Sequence, residues 1–172
     1  MVCLQDPLRE KADVRISHPA YDICKRNRVW TAMRKGSGFG TNERMDLSKN
    51  TLGDAIVVEI ETREETMAQI VNIYDQREGE TGERPARRLN WQRIIRQEGG
   101  ETVLAGDFNA HSQCWAPRCT ERRDATCWEQ MIDEHGLVIG NDDQPTHYWT
   151  RHDSMGKSVI DLTLDHLTLE NG

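Results

Sequence analysis

Val103-Leu104-Ala105-Gly106-Asp107-Phe108-Asn109-Ala110-His111 is the stretch on which the reading of this chain turns. A short apolar strand delivers Asp107, with Asn109 two residues later, just past its end. Strand alternation points both side chains to one side. A carboxylate beside a carboxamide can orient a water and hold an anionic oxygen. Gly106 lets the backbone bend or approach a ligand closely. The same residues also suit an ordinary Asx turn closing a strand, so the stretch has to be weighed with its surroundings.

Upstream, residues 28–33 read as a strand broken by Gly36-Ser37-Gly38. Residues 54–60 are apolar and β-branched, which predicts a buried strand, and residues 67–74 follow as its hairpin partner across a polar turn at 62–65. Residues 76–84 read as a polar loop. Pro85 suits the first position of a helix reaching about Gln97 and stopped by Gly99-Gly100. Downstream, residues 124–135 fit a second helix, with Asp124 as its cap, Ala125, Trp128, Ile132 and His135 on one face, and Gly136 at its end. Residues 137–139 and 147–150 are short strand candidates, and 158–164 alternate as a half-buried strand. Many strands with two helices among them predict stacked sheets flanked by helices.

The chain has 172 residues, 36% hydrophobic and 30% charged, a composition for one folded domain rather than a disordered segment. No stretch approaches the roughly 20 apolar residues of a membrane span, and Met1 to Pro7 lacks the basic-then-apolar pattern of a secretory leader. The net charge of −7 argues against nucleic-acid binding by bulk electrostatics alone. It leaves room for a carboxylate site in which a divalent cation reverses the local field. Basic segments at 84–88 and 122–123 read as solvated helix faces. The cysteines, five in number, read as reduced thiols of an intracellular protein.

Gly106-Asp107-Phe108-Asn109-Ala110-His111 after an apolar strand resembles the signature of the endonuclease/exonuclease/phosphatase superfamily, most closely the endonuclease domain of non-LTR retrotransposons. Leu4-Gln5-Asp6-Pro7 resembles the superfamily's Leu-Gln-Glu-Pro. Val71-Asn72-Ile73-Tyr74 resembles its Asn-x-Tyr strand. Asn141 with Pro145-Thr146 and Trp149, then Ser158-Val159-Ile160-Asp161-Leu162-Thr163, resemble its later segments. Each motif is short, but their order across residues 4–164 is specific. The resemblance implies an α/β four-layer sandwich of two packed, mostly antiparallel sheets flanked by helices, as in DNase I. It implies phosphodiester hydrolysis with Mg²⁺ or Mn²⁺ and DNA as substrate, which places the chain in the nucleus. It assigns the metal to Asp6, a methylene shorter than the usual Glu. Asp107 is implied to position and activate the attacking water, Asn109 and Tyr74 to contact the phosphate, and Asp161 to orient a catalytic histidine. Asn72, Thr146 and Ser158 are implied on the substrate side.

In that pattern the Ile-Asp-Leu-Thr strand leads on to a Ser-Asp-His motif, which does not occur before Gly172. Asp165-His166 lies too close along the strand to fold back onto Asp161. The expectation is a partial domain over 1–164, short at both ends, with a divergent tail at 165–172. Competing readings are an inactive retroelement remnant and a nucleic-acid-binding module without catalysis. His111, Cys114, Cys119 and Cys127 offer a further one, a zinc site, although their H-x2-C-x4-C-x7-C spacing lacks a C-x2-C knuckle. Trp91, Trp115, Trp128 and Trp149 read as packing residues. His18, His135, His147 and His152 show no partner pattern.

Overall fold

The computed structural model describes residues 1–5, 17–26, 28–37, 40–43, 55–61, 67–75, 90–95, 101–119, 125–141, 144–151 and 154–166. The apolar run at its centre forms β5 (Ala55–Glu61), and β6 (Met67–Tyr74) folds back on it antiparallel, from Ala55 opposite Ile73 to Glu61 opposite Met67. Ala55, Ile56, Val57 and Val58 are all buried, so this hairpin is covered on both faces. β4 (Gly40–Glu43) extends it on one side. On the other side β6 pairs in parallel with β7 (Glu101–Asp107), which pairs antiparallel with β11 (Asp161–His166) and through it with β8 (Val138–Ile139). The result is a six-stranded sheet in the order β4-β5-β6-β7-β11-β8.

One face of that sheet meets a second, three-stranded antiparallel sheet. It is made of β1 (Val2–Gln5), β2 (Tyr21–Arg26) and β3 (Val29–Arg34), in the order β1-β3-β2. Val29, Ile56 and Val58 fill the gap, with Cys24, Ile60 and Tyr74 against them. The opposite face carries the helices α1 (Trp91–Ile94) and α2 (Thr126–Glu134). There Val71, Ile73, Leu104 and Leu164 pack on Trp91, Trp128 and Met131. Trp128 sits edge-on to Phe108 at 4.5 Å and to Trp91 at 5.6 Å between ring centroids. The Gln69 amide donates to the Ile94 carbonyl and ties α1 to β6. The expected α/β sandwich is therefore present, described as three layers: helices, large sheet, small sheet. A separate two-stranded hairpin, β9 (His147–Arg151) with β10 (Ser154–Ser158), stands beside it.

Several elements depart from expectation. The stretch 158–164 is two strands, not one: Ser158 closes β10 and Asp161 opens β11. Between them the Ile160 carbonyl accepts from Phe108 N–H, while the N–H groups of Ile160 and Asp161 both donate to Thr146 Oγ1, so the chain changes partners there. Described α1 begins at Trp91 because the Asn90 side chain caps it by accepting from Arg93 N–H, and Ile95 is already extended, short of Gln97. α2 starts after Ala125 without a side-chain cap, and Gly136, at φ 61°, ends it as expected. β1, β2, β4 and, apart from Ser158, β10 have no counterpart among the strands expected from sequence. The turn at 62–65, the loop at 76–84, Pro85, Asp124, the basic segments at 84–88 and 122–123, and residues 167–172 lie outside the described residues, as does the Trp149 side chain.

Candidate active site

Strand register assembles the site. Tyr74 on β6 is the partner of Asp107 on β7, and Asp107 is the partner of Asp161 on β11. Residues directly opposite in a ladder point to the same face, and neighbouring strands lie about 4.8 Å apart. The three side chains therefore form one row across three strand ends, on the face turned toward the small sheet. The Tyr74 ring also stacks under the Arg28 guanidinium, 4.9 Å from its centroid.

The backbone around Asp107 is fixed tightly. Gly106 sits opposite Ile73 at φ 153°, and a Cβ there would collide with the Ile73 carbonyl oxygen. Asp107 Oδ1 accepts from Asn109 N–H at 2.9 Å, so the Asx turn weighed from sequence is formed. Asn109 has φ 45°. It lies past the end of the strand in the left-handed region, so strand alternation does not set its direction, contrary to expectation.

Charge is concentrated here. Burial raises the Asp107 carboxyl from 3.8 to about 6; the Asn109 N–H and His147 hold it down, while Asp161 and Asp75 push it up. Burial likewise raises Asp161, opposed by a hydrogen bond with Thr146 and by His147. Sequence reasoning missed Asp75 and His147. Asp75 is fully buried, its Oδ2 accepting from Trp128 Nε1 at 2.7 Å and its N–H donating to the Asp107 carbonyl at 2.7 Å. His147 is exposed and acts on both carboxylates of the row. Their signal was position alone: each directly follows a motif residue, Tyr74 or Thr146.

The remaining candidates are placed differently. Asn72 is fully buried between the sheets. Its Oδ1 accepts from Gln5 Nε2 at 2.6 Å, and its Nδ2 donates to the Trp30 carbonyl and to Thr31 Oγ1. Thr146 supports the start of β11 through the two bonds described above. Ser158 is half-buried at the end of β10. Asp6 lies outside the described residues, directly after the Gln5 that Asn72 holds. Among the described residues no group of three or more His, Cys, Asp or Glu side chains is gathered to hold a metal, so His111, Cys114, Cys119 and Cys127 are not drawn together as a zinc set. Two side chains of the row, Asp107 and Asp161, are carboxylates, hard oxygen donors whose repulsion a nearby divalent cation would relieve.

Residues 68–171 match the model of the endonuclease-reverse transcriptase family. The chain belongs to this family. Its fold agrees with that of the endonuclease domain of TRAS1, a telomere-specific non-LTR retrotransposon, at a TM-score of 0.69 and 18% identity, over 86% of this chain and 67% of that one. An endonuclease/exonuclease/phosphatase family protein from Leptotrichia buccalis matches at a TM-score of 0.53 and 11% identity, over 86% of this chain and 60% of that one. No curated protein sequence matches the chain. The chain thus has the DNase I-like fold of the endonuclease/exonuclease/phosphatase superfamily. Endonucleases of this superfamily are generally dependent on a divalent metal. Among the described residues no helix is long and apolar enough to cross a membrane.

Proposed function

We propose that this chain hydrolyses phosphodiester bonds in DNA as the nicking endonuclease of a retroelement, with Mg²⁺ or Mn²⁺ as cofactor. The observation that carries the reading is the in-register row of Tyr74, Asp107 and Asp161 at the ends of three adjacent strands. Asp107, raised to about 6, is ionised at neutral pH yet basic enough to accept a proton from an attacking water. The Asn109 N–H keeps its carboxylate oriented. Tyr74 presents a phenol beside it, suited to a phosphate oxygen, and the Asn109 carboxamide stands at the same turn. Asp161, braced by Thr146, would serve to orient a proton-carrying imidazole brought to it. Asp6, following the clamped Gln5, is the assigned metal ligand. The bound metal ion would supply Lewis-acid stabilisation of charge on the phosphoryl oxygens.

The test is incubation of the full chain with supercoiled plasmid, in Mg²⁺ and in EDTA, beside Asp107→Ala. Metal-dependent nicking that falls at least about 100-fold in the variant is expected, the range for a lost general base. Equal nicking by both proteins would sink the assignment of Asp107. A folded protein that binds DNA without nicking it would leave a binding module.

A further inference from the structure

Beyond the row, the loop after β7 and the base of the β9–β10 hairpin enclose a cavity of about 240 Å³. His111, Arg118, Gln144, Lys157 and Ser158 line it, and among the described residues no carboxylate does. In a chain of net charge −7 that is a marked local reversal. Arg118 and Lys157 are exposed, and neither has a carboxylate partner among the described residues. The loop that presents Arg118 is pinned. Ala116 N–H donates to the Ser112 carbonyl at 2.9 Å, Cys119 N–H donates to the Ala116 carbonyl at 2.8 Å, and Ser112 Oγ is bonded to Glu129 on α2. Trp115 is buried beneath it. The backbone that presents Arg118 is therefore held by bonds in which its guanidinium takes no part.

The cavity adjoins the row through the chain. Phe108 N–H bonds to the Ile160 carbonyl at 2.8 Å, and from that bond the two segments lead to His111 and Ser158. Val159 and Ile160 separate Ser158 from Asp161, so the two lie no more than about 10 Å apart along the chain. On duplex DNA that is a few nucleotides, at roughly 3.4 Å of axial rise each.

We propose that this cavity is a phosphate subsite that holds a backbone phosphodiester of the DNA strand a few nucleotides from the cleaved bond, with Arg118 and Lys157 neutralising it and the Ser158 hydroxyl donating to it. The proposal rests on the DNA reading above and adds where the strand is gripped. Arg118 supplies a planar fork for two phosphate oxygens, and Lys157 a point charge.

The full chain, Arg118→Gln, Lys157→Gln and the double variant are compared for binding of a labelled duplex oligonucleotide in EDTA across a salt series. Each single change is expected to lower the slope of log affinity against log salt by about one, and the double change by about two, with unchanged melting temperature. A double variant that keeps the wild-type slope overturns the subsite, whether or not the protein nicks DNA. Shifts of the Arg118 and Lys157 resonances in inorganic phosphate, with the slope unaltered, overturn the backbone assignment in favour of free phosphate. Loss of slope in the variants of a protein that never nicks in Mg²⁺ supports the subsite and sinks only the hydrolytic reading.

Discussion

The two faces of β6 and β7 are built by different rules. Toward the helices, Val71, Ile73 and Leu104 meet Trp128 and Trp91, and what matters is filled volume. Toward the small sheet, Asn72, Tyr74 and Asp107 stand in sequence along the same strands, and what matters is which atom meets which. A packed apolar face tolerates volume-conserving changes, whereas a polar face fails when one partner is removed. One backbone thus carries a packed apolar face on one side and a hydrogen-bonded polar face on the other, and substitutions on the two sides should act through different causes.

The largest effect expected is on the helix side. Trp128→Ala removes the ring that bridges Phe108 and Trp91 and takes away the donor to buried Asp75. It should cost about 4 kcal/mol by urea denaturation; a loss below about 1 kcal/mol would show that this face does not hold the fold. Asn72→Leu keeps the volume but strips Gln5, Trp30 and Thr31 of a shared partner. A loss of about 2 kcal/mol is expected, along with weaker Mg²⁺ protection against proteolysis near Asp6. Protection equal to that of the unaltered chain would break the link between the clamp and the metal.

The smallest effect has the opposite sign. The Asp107 carboxyl is raised from 3.8 to about 6 on folding, so between those values the folded chain holds a proton that the unfolded chain has released. Its favourable share is present below about pH 4 and is lost as pH rises through 6. Asp107→Asn should therefore stabilise the metal-free protein by about 1 kcal/mol at pH 8, after discounting for the solvent that still reaches the group. The gain should vanish at pH 4. Equal gains at both pH values would mean that the carboxyl is not raised.

The two faces also differ in how far they could be read from sequence. The β5–β6 hairpin, β7 and α2 announce themselves because buried apolar residues recur at the right period. β2 does not: Asp22, Lys25 and Arg26 give an outer strand the look of a loop. The break between β10 and β11 is silent because alternation continues through Val159 and Ile160, while the hydrogen-bond partners change to Phe108 and Thr146. Tyr74, Asp107 and Asp161 were legible as motif residues, but their common row is a product of long-range register. Asp75 and His147 bear on Asp107 through proximity alone, which no local pattern encodes.

The parallel pairing of β6 with β7 has a kinetic consequence. Parallel neighbours cannot be joined by a tight turn, so the chain must travel back along the sheet between Tyr74 and Glu101 before β7 can pair. Asp161 joins later still in the sequence, through β11. Contacts closed across such long loops carry an entropic cost ahead of any reward and form slowly. The row is therefore complete only once β11 has paired with β7, the last of its three strands in chain order.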